Sequence, residues 1–162
     1  MSVFKPKEYR DSIHDIDLQD LKNKGISHLI VDLDETLRKR NDDHIPASSI
    51  EWINKAKEAG FNLCVSSNSF FPWKFKKIRE KLNVPCYAFT IKPLPFAFWK
   101  ALKILSSKTS NTAMIGDQLF TDIVGANLLG IYTIMVAAVT KDEKGFHRRL
   151  MRWVERKFYK PS

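Results

Sequence analysis

Short apolar runs alternate along the chain with segments in which apolar residues recur every three or four positions. The runs are typical of buried strands, and the periodic segments are typical of helices. The predicted strands cover residues 26–33, 61–66, 86–89, 111–115 and 131–136. The predicted helices cover residues 46–59, 72–82, 95–105 and 119–129, preceded by a short helix within residues 11–24. This alternation predicts a Rossmann-like α/β fold, with a parallel central sheet and helices on both faces.

Two acidic residues stand at the end of the first predicted strand. Asp32 and Asp34 are separated by one residue and follow an apolar run that ends at Val31. Residues i and i+2 of a strand point the same way, so an extended backbone would place both carboxylates together. Such a pair is costly unless a cation neutralises it, and Mg²⁺ prefers carboxylate oxygens. The pair also offers a nucleophile and a separate acid–base group, which covalent group transfer requires.

Polar side chains also follow three further predicted strands. They are Ser66, Ser67 and Asn68 at the end of the second strand, Lys92 after the third, and Asp117 and Asp122 after the fourth. The carboxyl ends of parallel strands meet at one edge of a sheet, where ligands bind at a topological switch point. We therefore expect these groups to converge with Asp32 and Asp34 on one site.

The net charge of the 162-residue chain is +9, which favours an anionic partner. The length predicts one domain, residues 1–162, with a basic amphipathic helix at about 141–162. That helix would dock on the domain with a solvated basic face, lie on a membrane surface, or bind nucleic acid. Cys64 and Cys86 both lie in apolar stretches, and no signal-peptide pattern opens the chain. We expect reduced thiols and a cytoplasmic location.

The polar groups at the strand ends resemble, in order, the motifs of the haloacid dehalogenase (HAD) superfamily of phosphatases. The motif residues are Asp32-Leu33-Asp34-Glu35-Thr36, Ser67-Asn68, Lys92-Pro93-Leu94, and Gly116-Asp117-Gln118-Leu119-Phe120-Thr121-Asp122. The resemblance covers nearly the whole chain and implies a HAD fold. It implies that Asp32 is the nucleophile that forms an aspartyl-phosphate. It also implies that Asp34 protonates the leaving oxygen and then activates water.

The same resemblance implies the remaining roles in the site. Ser67 with Asn68 and Lys92 would bind the phosphoryl group, with Ser66 as the alternative to Ser67. Mg²⁺, or Mn²⁺ in its place, would be held by the metal group of Asp32, Asp34, Asp117 and Asp122. In that group Asp34 contributes its backbone carbonyl, and Asp122 orients water and Lys92. Thr36 supports the loop. We interpret Glu35 as a solvent-facing or loop residue without a chemical role.

Within the superfamily the chain resembles the small capless enzymes of subclass IIIA, a bacterial group related to the mitochondrial phosphatidylglycerophosphate phosphatases. This implies a role in phosphatidylglycerol synthesis on an anionic phospholipid, with peripheral association at the inner membrane face. Aromatic clusters at residues 70–73 and 94–99 follow two strand ends and would suit a lipid interface. The alternatives are a protein or small-metabolite phosphatase of the same fold, and a non-catalytic nucleic-acid-binding module. Nucleic acid is disfavoured, because all the catalytic positions are present.

Overall fold

A computed structural model describes residues 2–40, 42–68, 72–87 and 94–140, with the backbone alone for residues 72–74. In this part of the chain six strands form one sheet, and every pairing is parallel. The strands are β1 (Glu8–Arg10), β2 (His28–Asp32), β3 (Asn62–Ser66), β4 (Cys86–Tyr87), β5 (Thr112–Gly116) and β6 (Tyr132–Val136). Their order across the sheet is β1-β6-β5-β2-β3-β4.

Helices connect these strands. They are α1 (Leu18–Asn23), α2 (Ala47–Glu58), α3 (Pro72–Leu82), α4 (Pro95–Leu105) and α5 (Gly125–Leu128). A π-helical segment, Leu119–Val124, runs directly into α5, and short 3₁₀ turns cover Ile13–Asp15 and Thr109–Asn111. Among the described residues, none of the helices is long and apolar enough to span a bilayer.

Alternate residues of the central strand β2 belong to two different cores. Leu29 and Val31 pack in a large core that includes side chains from α1, α2 and α3. Ile30 packs on the opposite face, against Phe98 of α4. All of these side chains are buried. Because β2 is covered on both faces, its sequence is a continuous apolar run and does not alternate between apolar and polar residues. The prediction of a parallel α/β fold with helices on both faces is confirmed.

The direction of chain progression reverses beside β2. From β2 the chain moves outward through β3 and β4 on one side, and through β5 and β6 on the other. The crevice of such a sheet opens at the reversal, outside the carboxyl ends of β2 and β5. Only residues 33–46 separate β2 from α2, and residues 67–71 separate β3 from α3. Within the described ranges, no folded cap covers this edge.

Three local features differ from the sequence prediction. The edge strand β1 was not predicted, because three half-buried residues carry too little apolar pattern. The helix predicted at residues 119–129 is divided into the π-helical segment and α5. The leading helix is a 3₁₀ turn followed by α1. Lys92, the aromatic residues 70 and 71, and the predicted helix at 141–162 lie outside the described residues.

Candidate active site

Three carboxylates meet where β2 and β5 end. Asp32 is the last residue of β2, Asp117 directly follows β5, and Asp122 lies in the π-helical segment. A carboxylate oxygen from each residue lies within 4.8 Å of one from each of the others. All three residues are buried, with at most 6% of their surface exposed. This cluster is the centre of the candidate site.

The π-helical segment brings Asp122 against the end of β5. The backbone N–H of Gln118 donates to Asp122 Oδ2 at 3.2 Å. A Cβ on Gly116 would lie 2.6 Å from Asp122 Cγ and 2.8 Å from Asp122 Cβ, closer than real side chains approach. Glycine at position 116 therefore makes room for the Asp122 carboxylate. Single π-turns within helices are frequent at functional sites, which agrees with this arrangement.

The electrostatics of the cluster favour a bound cation. Three buried carboxylates at this separation repel one another, and burial removes the water that would screen them. A divalent cation would relieve the repulsion, and oxygen ligands are those that Mg²⁺ takes. The donor set of Asp32, Asp117 and Asp122 is therefore suited to a hard divalent cation.

The Asp34 carboxylate lies outside the three-carboxylate cluster and has contacts of its own. Arg38 Nε donates to Asp34 Oδ1 at 3.1 Å, and Ser67 Oγ donates to Asp34 Oδ2 at 3.1 Å. The backbone of Asp34 also forms an isolated bridge with Arg38. Both oxygens of the side chain are thus positioned by neighbours from two different strand ends.

The structure distinguishes the two serines after β3. Ser67 is buried and reaches Asp34, and its backbone N–H donates to the Tyr87 carbonyl at 3.3 Å. Ser66 is fully buried within the sheet, in register with Asp32 on one side and Tyr87 on the other. Of the two alternatives, Ser67 is the one whose hydroxyl donates to the Asp34 carboxylate. Asn68 is exposed beside it.

Glu35 is buried, so its interpretation as a solvent-facing residue is wrong, although it does lie in the loop. It is 2% exposed and has a positive φ of 66°. Its carboxylate accepts hydrogen bonds from the Arg40 N–H at 2.8 Å and from the Thr140 N–H and hydroxyl at 3.1 and 2.6 Å. Burial alone would raise the pKa of Glu35, but the Thr140 and Arg40 hydrogen bonds outweigh it and lower the pKa. Glu35 thus ties the loop after β2 to the segment after β6.

Sequence reasoning also missed Arg38, which is 4% exposed and pairs with Asp34. The available signal was the four-residue spacing of an acid and a base in a loop, which is weak alone. The loop is tightly closed, because the Leu33 carbonyl accepts from the N–H groups of both Leu37 and Arg38. Thr36 is buried within it.

The two cysteine thiols are in environments that make them unreactive. Both are free, with Cys64 fully buried and Cys86 partly buried. Burial raises the pKa of the Cys86 thiol to about 12 and raises that of Cys64 still further. Because the thiolate is the reactive form, neither residue is suited to be a nucleophile at neutral pH.

Comparison with known proteins decides the family. A HAD-hydrolase-like family model matches residues 90–149. A protein of Bacillus subtilis (strain 168), described as the probable phosphatase YqeG, is 34% identical over 154 residues. The match covers 95% of this chain and 88% of that protein. The chain belongs to the HAD-like phosphatases. Like others of this family, it is a phosphoric monoester hydrolase by class.

Two more distant similarities are a curated phosphatase and a solved structure that shares the fold. The chloroplastic/mitochondrial phosphatidylglycerophosphate phosphatase 1 of Arabidopsis thaliana is 27% identical over 154 residues, covering 86% of this chain and 42% of that protein. The cobalt-bound deoxy-D-mannose-octulosonate 8-phosphate phosphatase of Haemophilus influenzae shares the fold, with a TM-score of 0.56 at 16% identity. That alignment covers 83% of this chain and 90% of the other.

We expect Glu35→Gln to destabilise this HAD-like phosphatase by about 2 kcal/mol at pH 7, the range of hydrogen bonds to charged groups. The pKa of Glu35 is lowered below 4.5 in the folded chain. Its stabilisation is therefore complete above pH 4.5 and is lost as the pH falls through the folded-state pKa. Urea unfolding at pH 7 and at acidic pH measures this. The prediction is contradicted if the difference in unfolding free energy between wild type and variant is the same at both pH values. It is also contradicted if the control Glu58→Gln, which changes an exposed residue, loses as much stability.

Proposed function

We propose that the chain is a Mg²⁺-dependent phosphomonoesterase that works through an aspartyl-phosphate on Asp32. The observation that carries this proposal is the convergence of three buried carboxylates at the switch point of the sheet. Asp32 lies there as the last residue of β2, and Asp34 follows in a loop held by Ser67 and Arg38. This arrangement gives a candidate nucleophile, a cation site and a separate acid–base residue in one place.

The proposed reaction has two steps. A carboxylate oxygen of Asp32 attacks phosphorus, the P–O bond to the alcohol breaks, and Asp34 gives its proton to the leaving oxygen. Asp34 then removes a proton from water, which attacks the phosphorus of the aspartyl-phosphate. The P–O bond to Asp32 breaks, and the products are the alcohol and inorganic phosphate. Asp34 must exchange its contact with Arg38 or Ser67 for the leaving oxygen, since both its oxygens are engaged.

The carboxylate cluster fits a divalent cation, which would be held by Asp32, Asp117 and Asp122 with the Asp34 carbonyl. When bound, Mg²⁺ would neutralise charge between the phosphate and the nucleophile. The protein's own part is to position the groups. Asp122, fixed by the Gln118 N–H, completes the donor set either directly or through water. Lys92 and Asn68 remain our candidates for binding the phosphoryl oxygens.

For the substrate we propose the phosphate of phosphatidylglycerophosphate, by an enzyme of the capless subclass IIIA, forming one domain over residues 1–162. Two observations support a large or membrane-borne substrate. No folded cap closes the site edge in the described ranges, and large apolar side chains are exposed at the start of α4. The similarity to the plant phosphatidylglycerophosphate phosphatase points the same way. The enzyme would act peripherally at the cytoplasmic membrane face.

The test is phosphate release from phosphatidylglycerophosphate in mixed micelles, with a soluble aryl phosphate, a phosphopeptide and a sugar phosphate as comparisons. Each is measured with Mg²⁺, with Mn²⁺ and with chelator. Metal-dependent release that strongly favours the lipid would support the whole proposal. Metal-dependent release from soluble phosphates alone would reject the lipid and keep the phosphatase. No release from any substrate would reject the proposed chemistry.

We expect Ser67→Ala to lower kcat by about 10- to 100-fold, because Ser67 is the hydroxyl that contacts Asp34. The matched control is Ser66→Ala, one residue earlier and fully buried in the sheet. Ser66→Ala should change kcat by less than about threefold once its folded fraction is corrected for. Steady-state kinetics on the aryl phosphate checks both variants. Equal losses would show that the second motif is not centred on Ser67.

A further inference from the structure

The outer face of α4 carries aromatic side chains that its packing does not explain. Ala97, Ala101 and Leu105 recur at every fourth position and are buried against the sheet. Phe96 and Trp99 lie on the opposite side of the helix, 46% and 59% exposed. A helix packed on one face is expected to place polar residues on the other. Phe96 and Trp99 break this pattern.

The exposed aromatic side chains lie at the end of the helix nearest the candidate site. α4 follows β4 and precedes β5, so in a parallel sheet it begins at the carboxyl edge and ends at the amino edge. Phe96 and Trp99 belong to its first two turns, and Leu94, which is 45% exposed, directly precedes it. The apolar surface formed by Leu94, Phe96 and Trp99, here called the α4 surface, is therefore on the same edge as Asp32 and Asp117.

The stretch of sequence that contains the α4 surface carries positive charges only. No acidic residue occurs from residue 81 to residue 116, whereas this stretch contains five lysines. Phe96, Trp99 and Lys103 occupy positions i, i+3 and i+7, so Lys103 lies on the same outer face of the helix as the two rings. Lys100 is the residue after Trp99. Surfaces that bind bilayers combine aromatic rings, which insert at the membrane–water interface, with lysines, which contact anionic headgroups. A bilayer thus fits this surface better than an acidic protein, which would leave the rings without apolar partners.

We propose that the α4 surface docks the protein on an anionic bilayer. The rings of Phe96 and Trp99 enter the headgroup–acyl boundary, and the lysines contact the headgroups. Docking at this corner brings the open edge of the sheet to the membrane, so a lipid phosphate reaches Asp32 without leaving the bilayer. The docking itself does not depend on the proposed function, and only its benefit for a lipid substrate rests on it.

The test is flotation of the full chain with phosphatidylcholine vesicles that contain phosphatidylglycerol, against vesicles of phosphatidylcholine alone. We expect binding to the anionic vesicles, weakened by salt, and at least about tenfold weaker binding in Phe96→Ser/Trp99→Ser. The matched control is Leu128→Ser, which alters a 62% exposed leucine at the end of α5, near the amino edge. This control should bind as the wild type does.

Two outcomes would overturn the proposal. In the first, the wild type does not bind anionic vesicles; a wild-type oligomer in sedimentation that the double variant cannot form would then assign the α4 surface to contacts between copies of the chain. In the second, the double variant binds as well as the wild type, which would assign binding to another segment such as residues 141–162. Hydrolysis of a soluble aryl phosphate separates this test from the proposed function. The double variant should retain that hydrolysis, whereas its absence in the wild type would reject the phosphatase mechanism and leave docking intact.

Discussion

Asp32→Asn is expected to reduce phosphate release by roughly four orders of magnitude or more, on every substrate that the protein hydrolyses. The substitution keeps the size and shape of the side chain but removes the anionic oxygen that we propose attacks phosphorus. It also removes one donor from the cluster of three buried carboxylates. The proposed nucleophile and part of the proposed cation site are lost together, so additional Mg²⁺ should not restore the activity.

The stability of Asp32→Asn separates a catalytic defect from misfolding. Asp32 is 6% exposed and lies close to two other buried carboxylates. Removing one of three like charges relieves repulsion, so in chelator the variant should melt at a higher temperature than the wild type. Added Mg²⁺ should raise its Tm less than it raises that of the wild type.

The matched control for this variant is Asp15→Asn, which makes the same chemical change on an exposed 3₁₀ turn. It should keep wild-type activity and the wild-type response of Tm to Mg²⁺. Residual hydrolysis by Asp32→Asn above about 1% of wild type would contradict the assignment of Asp32 as the nucleophile. A lower Tm in chelator would instead contradict the view that the cluster is electrostatically strained without a cation.

The strands and helices that could be predicted from the sequence are those whose apolar residues form a clear pattern along the chain. β3, β5 and β6 were predicted to within one residue, and α3 and α4 match their predicted ranges. Asp32 and Asp117 were predictable as neighbours, because each ends or follows a strand in a parallel sheet. In contrast, the π-helical segment has no distinct apolar period, so nothing indicated how Asp122 reaches the cluster. Likewise, the hydrogen bonds from Thr140 to Glu35 join residues 105 positions apart.

Gly116→Ala should weaken the proposed cation site although it changes none of its proposed ligands. The new Cβ would lie 2.6 Å from Asp122 Cγ and 2.8 Å from Asp122 Cβ, so Asp122 or the end of β5 must move. The φ of Gly116 is not positive, so the cost arises from this crowding and not from backbone strain. We expect the Mg²⁺ concentration for half-maximal activity to rise by at least about tenfold, since displaced ligands lose cation affinity.

Two variants test whether crowding of Asp122 is the cause. Gly130→Ala introduces a methyl group where φ is +74° and nothing lies within 4 Å, so it should cost stability without changing the Mg²⁺ response. Gly116→Ala/Asp122→Gly removes the whole side chain, Cβ included, that the new methyl group meets. The double variant should regain the folding stability that Gly116→Ala loses, but not its Mg²⁺ affinity, because the carboxylate is gone. A wild-type Mg²⁺ response in Gly116→Ala would contradict this prediction. It would show that Asp122 does not need the space left by the missing Cβ of Gly116, or that Asp122 is not part of the cation site.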